Sequence, residues 1–489
     1  MIRLPDRFDV VIIGGGPAGY ATALYGAAAG LSIALVEKDK VGGTCLHRGC
    51  IPAKEFLETA SMYRAVASAP EFGISTGPVS LTFSRSAERK RRVIDQLHGG
   101  LQGLLKRRKV VTFSGTGSLG ADRTVAVTGP DGTVTRLAGR WVVLASGSVP
   151  RSIPGFDFDG RFILSSDDVL GWEKLPASAA VIGGGAIGCE FASMMSDLGT
   201  QVTILEALPA LLTGCDREVA DVVTRSFSKR GITVATGVTV TGHSPKGGVR
   251  TTVSFTSPPS PAPPGTPSVS PAPPGDSEEI TVEAVVVSVG RRPLSEGLVS
   301  ADSGVEISEK GYVKVGETME TTAPGVFAVG DLVDTPQLAH VGFAEAIVAV
   351  KTMLGESVVP VDYGRVPWCI YTHPEVAFAG LTEDAAVAAG YKVITHKTRF
   401  AGNSRAMIVG ETDGMVKIVA EAGQGGSAGR VLGVHMVGPW VTEQLGAGYL
   451  SVNWEALPAE VAAFIQPHPT LSESFGEAML ALTGRSLHG

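Results

Sequence analysis

Short apolar runs rich in β-branched residues recur along this chain, and two of them lead into the same glycine pattern. Asp9-Val10-Val11-Ile12-Ile13 reads as a buried parallel strand. Gly14-Gly15-Gly16-Pro17-Ala18-Gly19 follows, then an alanine-rich helix to about Ala29, then a strand Ser32–Val36 ending at Glu37. The unit repeats later. Ala179-Ala180-Val181-Ile182 leads into Gly183-Gly184-Gly185-Ala186-Ile187-Gly188, a helix over 189–198, and a strand Gln201–Leu205 ending at Glu206. Gly14, Gly16 and Gly19, and again Gly183, Gly185 and Gly188, have the G-x-G-x-x-G spacing. Glycine lets the chain turn tightly, lets backbone approach a pyrophosphate and lets helix pack on strand, and the terminal acid can accept from a ribose 2′-OH. The spacing therefore predicts two dinucleotide sites in one chain. No lysine or arginine follows Glu206 through Leu211. A carboxylate repels a 2′-phosphate, so the second site is predicted to take NAD rather than NADP.

The remaining pattern places the other elements. Val93, Leu97, Leu101, Leu104 and Leu105 recur at helical spacing within 84–109, between the charge runs Glu88-Arg89-Lys90-Arg91-Arg92 and Lys106-Arg107-Arg108-Lys109. This reads as an amphipathic helix with a solvated basic face; docking of an acidic partner is the sharper alternative. Alternating positions from Val110 to Arg140 predict strands, and Trp141–Gly147 a buried strand ending in Ser146-Gly147. Residues 257–277 hold Ser-Pro-Ala-Pro-Pro-Gly twice, between strand-like Val249–Phe255 and Ile280–Val289. Proline cannot donate to a ladder, so this stretch (256–277 at its widest) is expected to be a disordered extension of a hairpin tip without a catalytic role. Thr322–Asp331 reads as a strand ending in Gly330-Asp331. From about Pro360 the pattern changes to strands over Val366–Tyr371, Tyr391–Phe400, Met415–Ala420 and Val431–Val437, with a helix Thr442–Val452.

The fold class expected is α/β, with two Rossmann-like dinucleotide-binding domains and a C-terminal α+β domain. The boundaries expected are 1–150 for the first domain, 151–290 for the second, 291–359 completing the first, and 360–489 for the last. Composition agrees: 489 residues support several cores, and 44% hydrophobic with 18% charged residues suits a soluble protein. A net charge of −7 gives no support to nucleic-acid binding. No apolar run reaches transmembrane length, and Met1–Asp9 shows no secretion signal. Five cysteines are too few, and odd in number, for a secreted disulfide framework, so the cytoplasm is the expected compartment.

Residues 42–54, Gly-Gly-Thr-Cys-Leu-His-Arg-Gly-Cys-Ile-Pro-Ala-Lys, carry the candidate chemistry. Pro52 suits the first turn of a helix continuing through Val66, which puts Cys50 at a helix N-terminus, where a thiolate is favoured. Two structural cysteines or half a metal site are the alternatives; zinc would need two further ligands nearby. A redox-active Cys45–Cys50 disulfide fits the motif best. Near the end, His468 is fenced by prolines with Glu473 beyond it, a pair suited to an oriented general base.

The chain resembles the flavoprotein disulfide reductases, on Gly-Gly-Thr-Cys-x4-Cys-Ile-Pro at 42–52, Gly330-Asp331, Tyr371-Thr-His-Pro-Glu-Val376, and His468-Pro-Thr with Glu473. The likeness spans nearly the whole length apart from the proline-rich stretch. Within that family it is most similar to members that oxidise a protein-bound dihydrolipoyl group and reduce NAD⁺. The resemblance implies that Gly14, Gly16, Gly19, Glu37 and Asp331 bind FAD and that Gly183, Gly185, Gly188 and Glu206 bind NAD. It likewise implies that Gly43, Thr44, Gly117, Ser146, Gly147 and Gly290 are cofactor-binding, and that Lys54, paired with Glu190, lies beside the flavin. It implies a homodimer in which the His468 loop completes the partner's site. The implied partner is the lipoyl domain of a 2-oxo acid dehydrogenase core or of the glycine cleavage carrier protein, with no nucleic acid and no membrane. Another NADH-dependent flavoprotein disulfide or quinone reductase is the alternative activity. His47 and Arg48 stand where the family commonly has Asn and Val, and a cation there is expected to lower a thiolate pKa. Gln466 replaces a frequent histidine, and Ala186 is small where some relatives carry bulk.

Overall fold

The computed structural model describes residues 7–257 and 277–488. Its first sheet is parallel at its centre. Phe8–Ile13 lies between Ile33–Glu37 and Val134–Leu144, with Val111–Ser114 beyond Ile33–Glu37. Val10, Val11 and Ile12 are wholly buried, as a strand covered on both faces requires. Val326–Ala328 pairs in parallel with Val134–Leu144, so the chain returns to this sheet after leaving it. That strand is shorter than the Thr322–Asp331 expected, and Gly330–Leu332 turns as a 3₁₀ helix directly after it.

A second parallel sheet carries the repeat, in the order Thr233–Thr236, Gln201–Glu206, Ser178–Ile182, Ala284–Val287, Ile163–Leu164. Beside it, Thr239–Lys246, Arg250–Thr256 and Ser277–Val282 form an antiparallel sheet. Thr256 and Ser277 are register partners, so the proline-rich stretch leaves and re-enters at one hairpin tip; its residues 258–276 lie outside the described residues. The single strand expected over 280–289 is two, Ser277–Val282 and Ala284–Val287, in different sheets.

The last domain is a five-stranded antiparallel sheet in the order Trp368–Ile370, Glu375–Gly380, Ala428–Gly438, Met415–Ala422, Val393–Arg399. Glu375–Gly380, an internal strand, is absent from the sequence-based reading. Its run Val376-Ala377-Phe378-Ala379 is buried throughout, and with Val376 its only β-branched residue it lacks the signal by which the other buried apolar runs read as strands.

Two helices join the domains. Cys50–Ser68, with Pro52 in its first turn, packs against Ala186–Asp197, the helix after the second glycine loop. Phe56 on the first is fully buried in a core shared with Phe83, Cys189, Phe191 and Met194. Truncating such a phenylalanine typically costs ~3–5 kcal/mol. Near their N-termini the helices are tied by Lys54 and Glu190, and further along by Arg64 and Asp197. They therefore run side by side in the same direction, with both N-termini at one end. The basic segment forms one helix, Phe83–Arg107, and several of its cations are paired: Arg85 with Glu88, Arg89 with Glu55 and Arg91 with Glu173.

Candidate active site

Each glycine loop is shaped by close backbone contact. Gly14 and Gly183 have φ of +107° and +105°, in the region that favours glycine. A Cβ on Gly19 would stand 1.8 Å from the Gly14 carbonyl oxygen, and one on Gly188 2.0 Å from that of Gly183. By contrast, nothing lies within 4 Å of where a Cβ of Gly16 or Gly185 would be. Neither following helix has a side-chain cap, so the first-turn amides of Pro17–Ala28 and Ala186–Asp197 face that open space. Open backbone, free amides and a positive dipole end fit a pyrophosphate at both loops.

The terminal acids hold their own loops. Glu37 accepts from the Gly15 and Asp39 amides at 2.7 and 2.8 Å. Glu206 accepts from Gly184, and from Leu208 at 2.7 Å. Each carboxylate keeps lone pairs for a ribose hydroxyl.

The redox segment abuts the first loop. Gly42 N donates to Gly15 O at 2.7 Å, and a Cβ on Gly43 would stand 2.6 Å from Gly16 Cα. Cys45 and Thr44 lie on a short helix, Gly43–Arg48, that was not expected from the sequence; Cys50 begins the next. The break falls at Gly49, whose backbone leaves the helical region at φ −146° and ψ −116°. Both cysteines are free thiols, Cys45 half-buried and Cys50 exposed. Hydrogen bonding from Cys45 lowers the Cys50 thiol to about 7; burial opposes this and the Lys54 ammonium adds to it. The hydrogen bond with Cys50, then burial, pushes Cys45 upward. The pair is polarised, with the helix-terminal sulfur as the stable thiolate.

Lys54 meets both Glu190 oxygens at 2.9 and 2.8 Å, and its Nζ lies 4.8 Å from the Tyr371 ring centre. Burial works against the ammonium, but the Glu190 carboxylate outweighs it and the Lys54 pKa is raised. Tyr371 N donates to Glu190 at 2.9 Å, which brings a third segment to this point. Stranding one partner of a fully buried pair costs ~3–5 kcal/mol; with the Lys54 side chain 35% exposed the cost here is smaller.

The Gly330–Asp331 turn sits across from the first loop. Asp331 accepts from Ser148 Oγ at 2.5 Å, and Ser148 Oγ accepts from Arg291 Nε at 2.7 Å. Behind it Glu345, fully buried, accepts from Gly330 N at 2.6 Å, Thr335 at 2.8 Å and Tyr363 at 3.0 Å. Burial raises the Glu345 pKa. Ser148, Arg291 and Glu345 are additions to the sequence-based set; no motif marks them, and only their contacts do. Ser146, Gly147 and Gly290 lie where the chain crosses between the first two domains. Ser146 Oγ donates to Leu294 O, Gly147 O accepts from Leu294 N, and Gly290 O accepts from Arg151 N. Gly117 packs on Ile13 and Val36 in the first domain.

His468 and Glu473 are brought together, Nδ1 to Oε1 at 2.8 Å, on a surface where His468 is 71% exposed. Among the described residues, no hydrogen bond or ion pair joins them to the Cys45–Cys50 segment of the same chain. Just before them Phe464 and Ile465 are 70% and 97% exposed, and Trp454 is 75% exposed. Adjacent apolar residues as exposed as Phe464 and Ile465 mark a contact surface.

Arg48 has carboxylate partners in the structure. It pairs with Asp39 at 2.9 Å and lies 3.8 Å from Asp167, while the groups that act most on the thiols are the thiols themselves, Lys54 and Glu190. Its charge is met by carboxylates rather than by sulfur. His47 bonds Val41 O at 2.9 Å and contacts the His98 ring edge-on at 4.9 Å. Gln466 packs on Gly476.

Family models match residues 8–346 as "Pyridine nucleotide-disulphide oxidoreductase" and 366–479 as that family's dimerisation domain. A dihydrolipoyl dehydrogenase of Bacillus subtilis is 38% identical, with 99% of this chain and 100% of the relative covered. The mitochondrial dihydrolipoyl dehydrogenase of Rattus norvegicus is 36% identical over 98% of this chain and 91% of its own. The fold matches the crystal structure of LpdA from Mycobacterium tuberculosis with a TM-score of 0.87, at 24% identity, covering 97% of this chain and 99% of that one. The HOCl-induced flavoprotein disulfide reductase RclA of Escherichia coli matches with a TM-score of 0.82 at 24% identity, covering 96% and 99%. FAD and NAD(H) are the cofactors of the family these matches define, and both glycine loops fit a dinucleotide. The matched models cover most of the chain, and the chain belongs to the pyridine nucleotide-disulphide oxidoreductase family.

Proposed function

We propose that this chain is a dihydrolipoyl dehydrogenase: it oxidises a dihydrolipoyl group through Cys45 and Cys50, with FAD and NAD as cofactors. Full-length relatives of that name at 34–38% identity support the reading. The observation that carries it is the Lys54–Glu190 pair. This contact sets the thiolate-bearing end of one helix beside the dinucleotide-binding end of the other. FAD bound at the first glycine loop, which the redox segment abuts, would supply the two-electron relay between the dithiol and NAD⁺ at the second.

The residues act in order. His468, held at Nδ1 by Glu473, takes a proton at Nε2 from one dihydrolipoyl thiol. That sulfur attacks Cys45 Sγ of the oxidised pair; the Cys45–Cys50 bond breaks, and Cys50 leaves as the thiolate its lowered pKa favours. The second dihydrolipoyl thiol loses its proton to solvent and attacks the first sulfur, which closes the lipoyl disulfide and breaks that sulfur's bond to Cys45; Cys45 leaves and takes the proton held by the His468 imidazolium. The base serves the thiols of a second copy in a homodimer, a reading supported by the dimerisation domain and the exposed Trp454, Phe464 and Ile465. The proposed partner is the lipoyl domain of a 2-oxo acid dehydrogenase core or of the glycine cleavage carrier protein. Low cysteine usage favours a reducing cytoplasm. Among the described residues no helix is long and apolar enough to cross a membrane.

The test is NADH-dependent reduction of lipoamide against oxidised glutathione, with NADPH as control. Lipoamide and NADH are the expected pair; a preference for glutathione or NADPH overturns the reading.

A further inference from the structure

His468 stands on an exposed loop whose own hydrogen bonds are local. Thr470 Oγ1 donates to Pro467 O at 2.8 Å and lies 2.9 Å from Ser472 Oγ. Thr470 N donates to Glu473 Oε2 at 2.8 Å, and Glu473 Oε1 holds His468 Nδ1 at 2.8 Å. These contacts tie the loop to the start of the helix Glu473–Ala481, which packs into the core through Phe475, Ala478 and Met479, but they leave the Thr470 carbonyl unheld. Leu471, 6% exposed, inserts into the apolar core, yet dispersion is non-directional and sets depth better than angle.

The directional link comes from far away in sequence. Asn403, 8% exposed, donates from Nδ2 to Thr470 O at 2.9 Å, and the same nitrogen lies 3.2 Å from Ser474 Oγ, itself 1% exposed. Its Oδ1 accepts from Ala406 N at 3.0 Å and caps the helix Ser404–Val409. Both ends of the amide are committed. Flipping it would face oxygen with oxygen at Thr470, so its orientation is determined. A path thus runs from the imidazole through Glu473 to Thr470 N, across the Thr470 Cα to its carbonyl, and on to the buried Asn403 amide.

We propose that Asn403 is a positioning residue for His468: by holding the Thr470 carbonyl it fixes the Thr470 backbone, and with it the Glu473 carboxylate that presents the imidazole to a substrate thiol. This rests on reading His468 as the base. Glu473 has one oxygen on His468 and the other on Thr470 N, so a shift of the Thr470 backbone, whose carbonyl Asn403 holds in the next peptide, moves the carboxylate and the ring with it. A small misplacement of a general base is enough to slow proton transfer steeply.

The test uses the full-length holoenzyme carrying Asn403→Ser. Serine is an equally good helix cap but is too short to reach Thr470, so capping is kept and the link removed. Turnover of dihydrolipoamide with NAD⁺ should fall about ten- to a hundredfold in kcat. The KM for NAD⁺, and the NADH–ferricyanide reaction, which needs no thiol deprotonation, should stay at the wild-type value. In a His468→Gln background the same change should have no further effect, because the group it positions is gone. Ser474→Ala, which removes only the side arm, should cost less than Asn403→Ser. Equal losses in the dihydrolipoamide and ferricyanide reactions, or additive losses in the double variant, overturn the proposal, as does wild-type kcat in Asn403→Ser. If His468→Gln itself oxidises dihydrolipoamide at the wild-type rate, the reading of the base fails, and this proposal with it.

Discussion

The two glycine loops are chemically alike and differently housed. In each, the middle glycine amide donates to the strand-ending glutamate, and its carbonyl accepts from the segment that follows: Gly42 N on Gly15 O at 2.7 Å, Leu212 N on Gly184 O at 2.9 Å. At the first loop the redox segment presses on Gly16. Gly330 and Gly342 also close on Ala18, where a Cβ on either would stand 2.9 or 3.1 Å from the alanine methyl. At the second, Gly185 is exposed and Ile187 is 37% exposed. The same loop is therefore a walled cradle in one domain and an open shelf in the other. The first suits a cofactor that stays, the second one that comes and goes.

Substitutions at matched positions break or sharpen that contrast. The largest effect is expected from Gly19→Ala, whose Cβ meets backbone at 1.8 Å. The protein should be isolated without flavin absorbance and without activity. Gly188→Ala meets backbone at 2.0 Å but should keep its flavin and lose only the nicotinamide cofactor, with NADH affinity down tenfold or more in a fluorescence titration, about 1.4 kcal/mol. If Gly188→Ala also emerges colourless, the two sites are not independently built and the contrast is wrong. A milder effect is expected at Glu206. Glu206→Gln should narrow the preference for NAD over NADP by about tenfold in kcat/KM, because a neutral amide neither binds the 2′-OH as strongly nor repels a 2′-phosphate.

Two further changes probe the thiols between the loops. In the two-electron-reduced enzyme, alkylation of Cys50 should rise with pH through a midpoint at about 7, since only the thiolate reacts. Lys54→Met removes the cation that favours the thiolate, so the midpoint moves up and alkylation at neutral pH slows. Arg48→Val should leave the midpoint where it is, because Arg48 is paired with Asp39. An upward move in Arg48→Val would restore the view that this arginine tunes the sulfur.

Local patterns carried much of this in the sequence. The glycine spacing, the strand-ending glutamates and a proline in the first turn after Cys50 are all decided within a few residues, so they could be read before folding. The proline-rich stretch was assigned to a hairpin tip because proline cannot donate to a ladder, and its flanks are indeed register partners. The strand Glu375–Gly380 is not marked in the sequence because its buried run has a single β-branched residue, where Val10–Ile13 has four. Glu345, Arg291 and Asn403 are unmarked for another reason. Each is an ordinary polar residue whose meaning lies in a partner brought to it by the fold, Thr470 for Asn403 and Ser148 for Arg291.

By itself, then, the sequence pointed to the segments that would hold phosphate, the sulfurs that would react and the acid that would face a ribose, because those expectations follow from backbone freedom and side-chain chemistry over short spans. Only the tertiary structure decided that Lys54 meets Glu190, that Arg48 is occupied by Asp39, and that the His468 loop hangs from Asn403. Those pairings join distant segments, and a charge or an amide has no fixed partner until packing excludes water and leaves one within reach.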